Sequence, residues 1–156
     1  MNFDLSRLER GDIISGVGGL LLLTSLFLPW FNVDLSIDPD LCGTGKETCT
    51  AWETFNILDI LLLMGCFAPF ILVWIIARGH QLSWPPGEVT AIVGITASAL
   101  ILYNGMIDRV GEERSAVSLD IGWYVGLAGA LVLLLGAANV QMIRGGAPRR
   151  PPGVFR

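Results

Sequence analysis

The chain has little charge and few groups able to do chemistry. Asp, Glu, Lys and Arg make up 15% of its 156 residues, against roughly a quarter in soluble domains, and there is one histidine and one lysine. His80 falls in a short breaker-rich turn with no Ser, Cys or Asp beside it, so no nucleophile and base pair is visible. Cys66 lies within an apolar run and is expected to be buried and protonated, which makes it inert. Cys42 and Cys49 have no nearby His or third Cys to complete a zinc site. The acids Asp34, Asp38 and Asp40 miss the calcium-loop pattern, because Cys49 stands where a bidentate Glu is needed. No glycine cluster has the strand and loop context of a phosphate site, and the one basic run is a short tail, which argues against nucleic acid. The reading is therefore no enzyme, no cofactor and no metal.

What the chain has in abundance is apolar length. Hydrophobic residues are 53% of it, concentrated in four stretches at about Ile13 to Phe31, Ile57 to Ala77, Val89 to Ile107 and Ile121 to Ile143. A helix of about 20 residues covers the ~30 Å hydrocarbon core and satisfies its own backbone there. The expected fold is all-α: an antiparallel bundle of four transmembrane helices over residues 1–143, followed by a disordered basic Pro, Gly and Arg tail over 144–156. Arg7 and Arg10 ahead of the first stretch imitate a signal peptide. The stretch is too long for that, however, and leaves through Leu28-Pro29-Trp30-Phe31 without a small-residue cleavage site.

Basic residues near the spans are held on the cytoplasmic side. With both termini inside, that face carries Arg7, Arg10, Arg78, Arg144, Arg149, Arg150 and Arg156, against Lys46, Arg109 and Arg114 outside. This places loops one and three on the exterior. Cys42 and Cys49 then share an oxidising loop and are expected to pair, which in the chain-entropy model stabilises by about 2–3 kcal/mol. The dominance of Arg over Lys, with abundant Gly, Ala, Leu and Val, fits a bacterial plasma membrane. The cationic tail is expected to contact anionic lipid headgroups at about 1 kcal/mol per basic residue.

Small residues recur at helical spacing: Ser15 with Gly19, Gly94 with Ser98, and Gly122 with Gly126. Such pairs let helices approach closely and are expected to be packing surface. The five tryptophans, Trp30, Trp52, Trp74, Trp84 and Trp123, fall near the ends of the stretches and read as anchors at the lipid interface.

Ionisable groups at membrane depth are the functional candidates. Glu53, Asn56 and Asp59 recur at three-residue spacing, which would set them on one side of a helix as an external cation or proton site. Asn104, Asp108 and Arg109, with Tyr103, stand at the outer end of the third stretch and are candidates for the same polar pocket. The plainer reading is that Asp59 hydrates at the interface or pairs with Arg109.

Three phrases carry a family resemblance: Phe27-Leu28-Pro29-Trp30-Phe31 leaving the first helix, Ala51-Trp52-Glu53-Thr54-Phe55 opening the second, and Gly122-Trp123-Tyr124 opening the last. In these the chain resembles the small four-helix membrane proteins of actinobacteria, a family whose function is unknown. It is also similar in plan to the claudin-type tetraspans, although Pro39-Asp40-Leu41 replaces their Gly-Leu-Trp and the first loop is too short for a claudin-sized sheet. The resemblance carries no function with it; the residues themselves are read as a non-enzymatic structural or accessory subunit that binds membrane lipid or another membrane protein, with a membrane-protein partner or a second copy expected. The alternative is a small transporter or channel with an external cation site near Asp59.

Overall fold

The computed structural model describes residues 10–37, 40–42, 45–55, 57–78, 86–107 and 117–145. Helix α1 (Arg10–Ser25) leads directly into strand β1 (Pro29–Val33). Strand β2 (Thr48–Thr50) and the single turn α2 (Ala51–Thr54) precede α3 (Leu58–Ala77). Helix α4 (Pro86–Leu102) ends in a π-helical turn, Tyr103–Ile107, and strand β3 (Val117–Leu119) introduces α5 (Ile121–Gly145).

The molecule is mostly helical, and three of its helical segments are long and apolar enough to cross a membrane: Leu58–Ala77, Gly87–Ile107 and Ile121–Ile143. The first stretch behaves differently from expectation. Its helix stops at Ser25 after 16 described residues, which at 1.5 Å each cover about 24 Å. Thr24 and Ser25 return their hydroxyls to carbonyls one turn back, and the Leu26, Phe27 and Leu28 amides make tighter bonds to Leu23, Thr24 and Ser25. Competition of this kind from Ser and Thr side chains unwinds a helix end. Pro29 accordingly begins a strand, a position where its missing N–H does no harm.

That strand adds a small sheet to a fold that is otherwise helical as expected, where the all-α expectation had none. β1 is the centre of a three-stranded antiparallel sheet in the order β2-β1-β3, with Phe31 paired to Cys49 on one side and Leu119 on the other. The register shifts between Pro29 and Phe31, and such a bulge lets the adjacent Trp30 and Phe31 both be buried. The last helix also runs to Gly145, into the segment expected to be tail; residues 146–156 lie outside the described set.

The helices are joined by glycine. A methyl group added to Gly18 would lie 2.8 Å from the Gly129 carbonyl, and one on Gly129 would lie 2.7 Å from the Leu22 amide. Gly11 and Gly136 face each other in the same way, with each other's carbonyl oxygen 2.7–2.8 Å away. The α1 and α5 backbones therefore run in direct contact. On its other side α1 meets α3, where Gly19 abuts the Cys66 carbonyl and the Pro69 ring. Ser15 and Gly19 thus serve two different neighbours, since Ser15 packs on Gly136 of α5. Gly94 admits the Leu134 side chain and joins α4 to α5, while Ser98 returns its hydroxyl to the Gly94 carbonyl at 2.8 Å.

Candidate functional site

The end of the bundle that carries the sheet concentrates the unusual features. Two indoles are sunk into it. Trp30 is fully buried, and its Nε1–H donates to the Ser25 carbonyl at 2.7 Å, a second bond beside the one from the Leu28 amide at the end of α1. Trp123, 6% exposed, donates from Nε1 to the Ile101 carbonyl at 3.0 Å, just where α4 widens into its π-turn. Both were expected at the lipid interface. Instead each caps a helix end from the core, because a strand pulls Trp30 inward and the Trp123 ring covers Gly105, where any Cβ would collide with it. Gly122 and Gly126 complete this packing. They lie under Trp30, with Gly122 also against the Pro29 backbone and Gly126 against the Ser25 hydroxyl.

Trp52 and Trp74, at 41% and 48% exposed, remain on the surface. Trp52 stacks obliquely with Phe27, and Arg78 places its guanidinium 4.0 Å from the Trp74 ring centre. Trp84 lies outside the described residues.

Over the indoles sits the sheet, tied by a Cys42–Cys49 disulfide whose Cα atoms are 5.1 Å apart. Phe55 packs edge-on against both Trp30 and Phe31, at centroid distances of 5.7 and 5.9 Å. The third strand is locked by Asp120, whose amide donates to the Trp30 carbonyl at 2.8 Å while its carboxylate accepts the first amide of α5, from Ile121, at 2.7 Å.

The three-residue spacing of Glu53, Asn56 and Asp59 does not survive as a helical face. Glu53 belongs to α2 and Asp59 to α3, and between them Phe55 is extended, with φ −114° and ψ 145°. Glu53 instead turns outward. It accepts the Thr50 amide at 3.0 Å and pairs with Lys46 at 2.6 Å. The Lys46 ammonium, then the Thr50 amide, hold its carboxyl down at about 2. Asp34 is likewise lowered, by the hydroxyl and amide of Ser36. Asn56, Asp108 and Arg109 lie outside the described residues.

Asp59 is the remaining member. It stands in the first turn of α3, 2% exposed, and its Oδ1 has no hydrogen-bond partner among the described residues. That burial differs from the hydrated interfacial carboxylate expected. Asn104 sits in the π-turn and donates to the Leu100 carbonyl at 2.9 Å. Sequence reading takes Gly18 and Gly129 as small residues of packing faces but not as each other's partners, and it misses the Gly11 and Gly136 contact and the Ser25 and Ile101 carbonyls that receive the indoles. The seven-residue interval between Gly129 and Gly136 was the available signal for the first; the carbonyls carry none.

Among the described residues no group of three His, Cys, Asp or Glu side chains is placed to hold a metal ion. Comparison with known protein families, with curated proteins and with solved structures finds no match.

Proposed function

We propose that the chain is a non-enzymatic bundle of four transmembrane helices, with both termini in the cytoplasm of a bacterium, acting as an accessory or structural subunit. The observation that carries this is the outer cap. Strands from two separate loops are joined, tied by a disulfide and seated on two buried indoles, an investment in a rigid surface rather than in a cleft. That surface is polar and acidic, with Asp34, Asp40, Glu47 and Glu53 exposed on it. Such a platform suits recognition of a membrane-protein partner whose outer face is basic, since charge complementarity steers encounter and fixes register.

In this reading α1 is the fourth span, completed at its outer end by the Leu26–Leu28 turn. The resemblance to the actinobacterial four-helix proteins fits the same arrangement. Extraction into native nanodiscs at normal expression, followed by particle mass and mass spectrometry of what stays bound, tests the proposal. A defined protein partner supports it, and a particle holding this chain and lipid alone overturns it.

Asp59 favours a second reading, a small transporter or channel. A carboxylate this buried with an unpaired oxygen is costly at membrane depth, and such groups commonly mark ion paths. Loss of ion flux in proteoliposomes on Asp59→Asn, at equal incorporation, would decide for transport.

A further inference from the structure

Small residues hold α1, α5 and the inner face of α4 tightly, but α3 and α4 part from one another. Between them lies a groove of about 250 Å³, with Met64 and Ile92 exposed at its edges, Gly65 and Val93 part-buried in its lining, Leu62 and Ala97 buried, and Thr96 its one polar side chain. Its cause is legible in α3. Pro69 has no N–H for the Gly65 carbonyl, and its ring is seated against Gly19, so α3 is held on α1 one turn beyond the groove.

We propose that this groove holds one acyl chain of a membrane lipid. The inference rests on the reading of α3 and α4 as membrane spans. A volume of about 250 Å³ equals roughly eight units of the ~30 Å³ a water occupies, and a methylene is nearly the same size. From Ile92 to Leu100 the α4 wall runs eight residues, about 12 Å, so a stretch of roughly eight chain carbons matches the groove in volume and length together.

A protein occupant fits poorly. A stable interface takes about 800 Å² from each partner, far beyond a slot of this size. Helices dock in membranes through small residues, yet Gly18, Gly19, Gly94, Gly129 and Gly136 are all spent inside the bundle, and the rims here are the long side chains of Met64 and Ile92.

The test uses the full-length protein in phosphatidylethanolamine and phosphatidylglycerol vesicles carrying a phospholipid with a mid-chain diazirine. After illumination, adducts are mapped by mass spectrometry. Met64 and Ile92 should be labelled about tenfold more than Leu135 of α5, which is as exposed but faces no groove; that ratio is a preference of ~1.4 kcal/mol. Gly65→Leu should bring Met64 down to the Leu135 level. A Cβ at Gly65 meets nothing closer than Val93 at 3.5 Å, so the new side chain fills the groove without displacing backbone. Ile92→Ala, which widens the groove, should leave Met64 strongly labelled.

Equal labelling of Met64 and Leu135, or a Gly65→Leu variant labelled like the parent, would overturn the proposal. So would disulfide-linked dimers of Met64→Cys, which would make a second copy the occupant. Absence of label from Leu135 as well would refute the bilayer reading itself.

Discussion

Replacing Gly129 with leucine should separate α1 from α5, while the same replacement at Gly16 should not. At Gly129 a Cβ alone would lie 2.7 Å from the Leu22 amide nitrogen and 3.0 Å from the Gly18 carbonyl, both backbone atoms that no rotamer change can move aside. Restoring ordinary contact at ~3.5 Å opens the seam by about 0.8 Å, and a gap of that size forfeits a quarter to a half of each contact's attraction. Leu22 and Leu133 are fully buried on the seam. If each makes half of its ~40–60 contacts across it, at ~0.1–0.2 kcal/mol apiece, the loss is about 3 kcal/mol. Between helices in lipid no hydrophobic term offsets it, since packing itself is the driving force. At Gly16 a Cβ meets nothing within 4 Å, and Gly→Leu there should gain up to ~1 kcal/mol of helix propensity. Reversible unfolding of both variants by SDS in mixed micelles, followed by circular dichroism, measures the contrast. A Gly129→Leu protein as stable as Gly16→Leu would refute the seam.

Three further outcomes follow from the sheet and its indoles. Unfolded without reductant, the protein should take up one maleimide, at Cys66, and after reduction three; reduction in the folded state should speed proteolysis of the first loop, consistent with a loss of about 2–3 kcal/mol of loop order. Trp30→Phe removes the second donor to the Ser25 carbonyl, which keeps the Leu28 amide, and part of a fully buried ring, so it should cost about 1 kcal/mol or more in the SDS titration, whereas Trp52→Phe on the surface should fall within about 0.5 kcal/mol. Glu53 is held at about 2 in the folded chain against an ordinary 4.5, so its contribution is complete above pH 4.5 and is lost as pH falls toward 2. The pair is largely exposed and screened, so this amounts to no more than about 1 kcal/mol, and amide exchange at Thr50 should show that pH dependence in the parent and lose most of it in Lys46→Ala.

The sequence was most informative where one physical cause dominates. Apolar runs of bilayer length have few alternatives to helix, and three of the four are helices of crossing length. The cysteine pair, seven residues apart in a polar loop, was legible for a related reason: closing so short a loop costs little chain entropy. The first run shows where the rule weakens. Its last residues are as apolar as the rest, but Thr24 and Ser25 can return hydrogen bonds to the helix, and the outcome turned on whether partners existed for a strand beginning at Pro29.

Those partners were decided by tertiary structure. β3 lies more than 80 residues from β1, and neither is long or regular enough to announce a sheet; each is stable because the other, the disulfide and two indoles meet at one place. The tryptophans illustrate the same limit. Position near a span's end is shared by an interfacial anchor and a buried cap, and only the placement of an acceptor carbonyl separates Trp30 and Trp123 from Trp52 and Trp74. Spacing also misled at Glu53 and Asp59, because helical periodicity holds only within one helix and Phe55 breaks it. By itself, then, the chain determined its apolar helices and its cystine, both set by local chemistry. Which glycines touch, which indoles are buried and whether a sheet forms depended on surfaces far apart in sequence, where close approach of backbones and the pairing of stray carbonyls choose among otherwise equal alternatives.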